Sequence, residues 1–227
     1  MGRVSPPLRA ALSVSLLIAM SGVIVSAFFI VSTSRTSGFA IPDAMRILFF
    51  HVPCAILCAV GFVVTLVHAI LYLRTRDPRH DAGSLVGARL GLLFGILAIG
   101  MGMAWARVEW GAAWNWDPRQ TSLALALMTF VAYFALRGAV EDPDRQAALS
   151  AVYAVLASPT ALFLIFGLPR FYGGSLHRQP MEVRMGSDFG ATFAVSIVCF
   201  LALFLWMRSL ETRLTLRAWK AAGRIEP

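Results

Sequence analysis

Long apolar runs, each closed by charged or turn-forming residues, divide this chain into six windows: residues 10–31, 53–73, 85–105, 122–136, 149–168 and 190–207. A hydrocarbon core about 30 Å thick is crossed by roughly 20 largely apolar helical residues, so each window predicts a membrane-spanning helix. The fourth is the shortest. Its residues Leu123, Ala124, Leu125, Ala126, Leu127 and Met128 nevertheless run without a charge into Phe130, Val131, Tyr133 and Phe134, so the helix has room to extend. The first window follows Arg3 and Arg9. It exceeds the apolar core of a signal peptide and no clear cleavage site follows, so it reads as a retained anchor.

Three windows carry internal detail. Apolar character runs for 30 residues from 44 to 73, about 45 Å as one straight helix and longer than the core it has to cross. Proline suits a first helical turn, so the spanning part is expected to begin near Pro53, with residues 46–51 lying at the outer interface and His51 at the membrane surface. In the third window Gly87, Gly91 and Gly95 recur every four residues, a face on which another helix backbone approaches closely. The fifth contains Ser158-Pro159-Thr160, where a lost backbone bond predicts a kink. The connections at residues 74–81 and 141–145 read as charged, proline-containing turns in water.

Composition agrees with the windows. At 58% hydrophobic and 14% charged over 227 residues, the chain lies far from a soluble domain. The expectation is an all-α integral membrane protein with six transmembrane helices, forming a single polytopic domain over residues 1–227. Six spans place both termini on one side, and that side's segments hold 13 Lys and Arg against 7 on the other. The termini are therefore expected in the cytoplasm and the tryptophan-rich connection between helices 3 and 4 outside. The net charge of +8 then reads as topology and contact with membrane lipid, with no nucleic acid partner. Cys54, Cys58 and Cys199 fall in apolar windows and read as buried neutral thiols. No catalytic constellation or Walker motif occurs, so the chain is expected not to be an enzyme and any ATPase activity to reside in a partner.

The candidate chemistry lies outside. His51 and His177 fall on that side, His80 in an inner loop, and His68 near the inner end of the second span, roughly 25 Å of helix from His51. Only the outer pair is expected to meet. Between them in sequence stands W-G-A-A-W-N-W-D-P-R-Q-T, residues 110–121. An interfacial tryptophan belt would account for Trp110, Trp114 and Trp116 alone. It has no need of Gly111, expected to permit close backbone approach, or of Asp117 and Arg119 among the rings. A large planar ligand with charged edges would use all of these, and heme fits. Indoles pack on the macrocycle, two histidines hold its iron, and arginines pair with its propionates. Propionate candidates are Arg46, Arg119, Arg170, Arg178 and Arg184. Asp117 is expected to anchor the loop by accepting backbone or tryptophan N–H bonds, and Arg119 to pair with it.

These residues resemble the WWD family of membrane heme-handling proteins in cytochrome c maturation. With His51 in F-F-H-V-P-C-A, His177 in L-H-R-Q-P and six spans, the chain is most similar to the CcmC branch. The resemblance implies a WWD loop over residues 105–121 and heme b held at the periplasmic face by His51 and His177. It also implies delivery of that heme to the chaperone CcmE, and work beside CcmA, CcmB and CcmD in the bacterial inner membrane. After the aspartate the usual pattern of that branch reads A-R-L-T, whereas this chain has Pro118-Arg119-Gln120-Thr121. A D-P step is typical of the larger CcmF and CcsA-type relatives, which leaves a CcsA-type cytochrome c synthase subunit as the alternative. A membrane heme and quinone electron-transfer subunit is the other, with His68 its only histidine at membrane depth.

Overall fold

In the computed structural model the described residues are 6–33, 41–172, 175–177 and 186–225, with side chains described from residue 10 onward. α1 (Pro6–Val25) ends in a π-helical turn, Ser26–Ile30, and a 3-10 turn, Pro42–Ile47, leads directly into α2 (Leu48–Thr75). α3 spans Pro78–Glu109, α4 Pro118–Ala139 and α5 Pro143–Leu162. A second π-helical turn, Phe163–Gly167, carries α5 into the short α6 (Leu168–Phe171), and α7 (Ser187–Ala221) follows. Six of these helical stretches are long and apolar enough to cross a membrane, as the windows predict.

Every helix starts ahead of its window, and local chemistry explains three of these early starts. Three Asp-Pro steps, at 77–78, 117–118 and 142–143, each open a helix. The aspartate is the N-cap, accepting from the backbone N–H of Arg79, Arg119 or Arg145 at 2.8 Å. The proline occupies the first helical position, where its missing N–H costs nothing. Residues 77–81 and 142–145, expected as solvated turns, are therefore largely first turns of α3 and α5.

The expected start of the second span is corrected. α2 begins at Leu48, five residues before Pro53, so His51 sits in its first turn rather than on a separate interfacial segment. Proline at this depth leaves the Phe49 carbonyl without its helical donor. The buried Ser196 hydroxyl of α7 donates to that carbonyl, so a neighbouring helix supplies the bond the proline withholds. Pro159 is likewise accommodated inside α5, and the helix gives way to the π turn four residues later.

The glycine face of α3 works as expected, and the helix it admits is α2. A Cβ on Gly61 would stand 2.5 Å from the Gly91 Cα, and one on Gly91 would stand 2.7 Å from the Phe62 ring. Only backbones without side chains pass this closely. Phe62 in turn stacks on Phe130 of α4, with ring centroids 3.8 Å apart.

At the end of the bundle away from the Trp110–Trp116 loop, two polar clusters depart from the reading of ordinary loops. Asp81, 4% exposed in the first turn of α3, receives both terminal nitrogens of Arg137 of α4 at 2.6 Å. Trp219 of α7 lies 5.8 Å from that guanidinium. His68 and His80 also meet, contrary to the expectation that only the outer pair would: their Nδ1 atoms are 3.2 Å apart. The α3 start brings His80 back against α2, and Gly83 leaves room for the His68 ring, which a Cβ there would meet at 2.4 Å. Arg208 donates to His68 Nε2 at 2.7 Å. A guanidinium only donates, so neutral His68 carries its proton on Nδ1 and passes the bond to His80. Both nitrogens of His68 are engaged, which leaves it no lone pair for an iron.

The replacement bond at Pro53 makes a coupled prediction. Ser196→Ala removes a buried donor and is expected to destabilise the detergent-solubilised protein by about 1–3 kcal/mol. In a Pro53→Ala background, where the helix regains its own N–H, the same change is expected to cost much less. Thermal unfolding of the two single variants and the double variant measures the coupling. Equal cost of Ser196→Ala in both backgrounds would contradict it.

Candidate functional site

The site is assembled where α3 ends and α4 begins. Trp110 caps α3, and Gly111 follows at φ +81°, the left-handed turn that stops a helix without a Cβ penalty. Arg107 closes the turn by donating to the Gly111 carbonyl at 2.9 Å. A Cβ on Gly111 would meet nothing within 4 Å among the described residues, so within the chain its role is conformational and the space beside it is open. The following residues are tied down by Gln120 in the first turn of α4. Its Oε1 accepts from the Asn115 N–H at 3.0 Å and its Nε2 donates to the Ala113 carbonyl at 3.1 Å. Trp114 and Trp116 meet edge to face with centroids 5.8 Å apart. Trp116 is 77% exposed at φ +54°, an outlying conformation for a bulky residue.

Asp117 is the centre of the arrangement. Its side chain has no exposed surface, and it accepts four hydrogen bonds. The Arg119 N–H and His177 Nδ1 reach Oδ1 at 2.8 and 3.0 Å, while the Leu176 N–H and Ser175 hydroxyl reach Oδ2 at 2.7 and 3.0 Å. The expected anchoring is thus made by backbone N–H groups and by a histidine, and the Arg119 bond comes from the main chain. Burial pushes the Asp117 carboxyl up, but the Arg119 N–H, the His177 ring, the Leu176 N–H and the Ser175 hydroxyl together hold it below the ordinary value. Burial is also the main influence on His177 and lowers its pKa. The Asp117 charge opposes this, while that of Arg119 reinforces it, and the net shift is downward. The imidazole is therefore neutral at neutral pH, with its proton on the nitrogen facing Asp117.

His51 reaches the same state by another route. Its Nδ1 lies 2.9 Å from the Ala98 carbonyl of α3, which only accepts, so Nδ1 carries the proton. The ring lies against Gly102, where a Cβ would stand 3.0 Å from Cε1. Both imidazoles thus keep the Nε2 lone pair for a ligand. Trp110 meets the His177 ring edge-on at 4.9 Å and Trp105 at 4.8 Å, and Trp105 lies 6.2 Å from His177. Trp105 thus joins the tryptophan cluster, as its position just ahead of it suggests, whereas Ala98 and Gln120 were not singled out from sequence. Only the D-x-x-Q spacing of a helix start points to one of these two.

The arginines are divided. Arg46 donates to the carbonyls of Ala27 and Val31 and pairs with Asp43 at 3.2 Å, so its donors already serve the junction of α1 with the 3-10 turn. Arg170 donates to the Phe166 carbonyl. Arg178 and Arg184 lie outside the described residues.

The family model described as heme exporter protein C, CcmC, matches residues 2–223. This chain belongs to the heme exporter protein C family. It is 29% identical over 203 residues to heme exporter protein C of Paracoccus denitrificans, covering 84% of this chain and 83% of that one. For the Rhodobacter capsulatus protein of that name the identity is 30% over 181 residues, 77% of this chain and 74% of the relative. For that of Escherichia coli it is 28% over 140 residues, 60% and 57%. Within this CcmC-family chain the Asp-Pro step at 117–118 has a local reason, since the same step opens α3 and α5.

The tautomers and shifts are directly measurable. Nitrogen-15 histidine NMR of the purified, ligand-free protein at pH 7 is expected to show His51 and His177 neutral and protonated on Nδ1. His177 should titrate below about 6.5, the ordinary imidazole value, so its readiness as a ligand is complete above that pH and declines as the pH falls beneath it. Because the Asp117 charge favours the protonated ring, Asp117→Asn should lower the midpoint further. A midpoint at or above the ordinary value would contradict the site's electrostatics.

Proposed function

We propose that this chain binds heme b at the tryptophan-loop end, with His51 and His177 as axial ligands, and delivers it to a CcmE-like heme chaperone during c-type cytochrome biogenesis. One observation carries the reading. Two neutral imidazoles, on elements far apart in sequence, are each held at Nδ1 and each keep Nε2 for a metal. The names of the relatives, heme exporter protein C, agree with that chemistry. The Lys and Arg asymmetry supports a periplasmic site in the bacterial inner membrane.

Each part of the site has a task in this reading. Hydrogen bonding at Nδ1 fixes ring orientation and raises ligand basicity, more so from the Asp117 carboxylate than from the Ala98 carbonyl. Trp110, Trp114 and Trp116 supply apolar surface for the macrocycle. Arg119, near enough to His177 for its charge to act on the ring, is the first choice for a propionate, and Arg170 the next among the described arginines. Nothing in the chain resembles an ATP-hydrolysing site, so energy for loading or release comes from a partner assembly of the CcmA, CcmB and CcmD kind. Engagement of both His68 nitrogens weighs against heme held at membrane depth for electron transfer.

Purified protein is expected to carry a low-spin Soret band, and His51→Ala and His177→Ala are each expected to lower heme content about tenfold or more. The double change Trp114→Phe and Trp116→Phe should insert normally yet reduce cytochrome c yield, since a heme surface depends on indole area where a membrane belt accepts any aromatic ring. Unchanged heme content in both histidine variants would remove the axial-ligand assignment.

A further inference from the structure

We infer that heme leaves this site by the His177 side, with Asp117 as the positioning residue that fastens and frees that ligand. The inference rests on the reading of His51 and His177 as axial ligands. It comes from how differently the two rings are held.

His51 is built into a helix pair. It stands in the first turn of α2, its neighbours Phe49 and Cys54 are buried, its ring lies on Gly102, and its Nδ1 bonds a main-chain carbonyl of α3. Moving it means separating two spanning helices whose backbones are already in contact at Gly61 and Gly91. Among the described residues, no ionisable side chain hydrogen-bonds its ring.

Among the described residues, the hydrogen bonds that anchor His177 converge on one group. His177 lies outside the helices, and each hydrogen bond tying residues 175–177 to the rest of the described structure ends on the Asp117 carboxylate: Ser175 Oγ, Leu176 N and His177 Nδ1. The remaining bond, from the His177 N–H to Ser175 Oγ at 3.2 Å, stays inside the segment. Three attachments thus depend on one side chain and fail together if it is drawn to another cation or turned away. A buried, fully bonded carboxylate grips strongly, and a buried network missing one member is costly. Strong hold and single-point release are the properties a site needs if it must keep a cargo and then part with it. The exchange is ligand for ligand: the bond from iron to His177 breaks as the acceptor's own Lewis base bonds the iron, with no change of oxidation state.

Asp117→Asn is the informative variant because asparagine also serves as a helix N-cap, so the start of α4 is retained while the charge is lost. Heme-loaded protein is mixed with apomyoglobin and the rate of heme transfer is followed. Asp117→Asn is expected to raise that rate about 10- to 100-fold, the usual range for loss of an outer-sphere partner of a metal ligand, and Ser175→Ala to raise it less. The change is then repeated in His51→Gly and His177→Gly backgrounds supplied with imidazole. Its effect should persist with His51→Gly and be much smaller with His177→Gly, where the ring is no longer tethered to the 175–177 segment that Asp117 fastens. In ligand-free protein, histidine NMR should show the His177 Nδ1 proton exchanging faster in Asp117→Asn and that of His51 unchanged. An Asp117→Asn rate equal to wild type, or an acceleration of the same size in both glycine backgrounds, would overturn the inference. Wild-type protein lacking a bis-imidazole spectrum would overturn the heme reading itself, and the inference with it.

Discussion

The site depends on keeping one carboxylate charged out of contact with water. An aspartate with no exposed surface loses its hydration, and only donors aimed at both oxygens offset that cost. Asp117 finds four, and they come from two parts of the chain. One set is the N-terminus of α4, whose unpaired N–H groups and partial positive charge favour an anion. The other is the segment at 175–177. The requirement of the buried charge is therefore what joins a loop almost 60 residues away to the start of α4 and orients the ring of His177.

The same principle, applied at the opposite end, gives an opposite chemical result. There Asp81 and Arg137 satisfy each other in a bidentate pair, and Arg208, His68 and His80 form a chain of bonds. An arginine beside an imidazole consumes a lone pair, whereas a carbonyl or carboxylate beside it frees one. Four histidines thus divide into two pairs by their neighbours alone. The His68–His80 pair ties α2, α3 and α7 together, and the pair beside the Trp110–Trp116 loop retains its basic nitrogens.

The six spans were legible because apolar run length is imposed by the membrane and is indifferent to packing. Close approach at Gly87 and Gly91 was legible for a related reason, since small residues at helical spacing leave few alternatives. What escaped were features set by a partner far along the chain. Pro53 reads as a helix start only while Ser196, more than 140 residues later, is ignored. His80 reads as a loop residue until the Asp77 cap carries α3 back past α2. Gly111 shows only a permissive residue, and whether it serves space or φ depends on the turn that follows Trp110. At the site the residue types pointed to heme, but the Asp117–His177 bond joins elements that no local periodicity connects.

The three residues after Asp117 show how a departure from a family pattern is resolved by local physics. Proline at the first helical position fixes φ and has no N–H to satisfy, so the preceding aspartate is set as the cap, with both its oxygens also within reach of the 175–177 segment. Gln120, two residues on from Pro118, turns its amide back to the Asn115 N–H and the Ala113 carbonyl, groups a leucine would leave without partners. The proline and the glutamine therefore act on different halves of the same site, one through His177 and the other through the Trp114 turn. Because the Asp-Pro step also begins α3 and α5, its presence at α4 follows from how this chain starts helices. The glutamine is the part of the departure specific to the site, and through it the tryptophan turn and His177 share a single support, the first turn of α4.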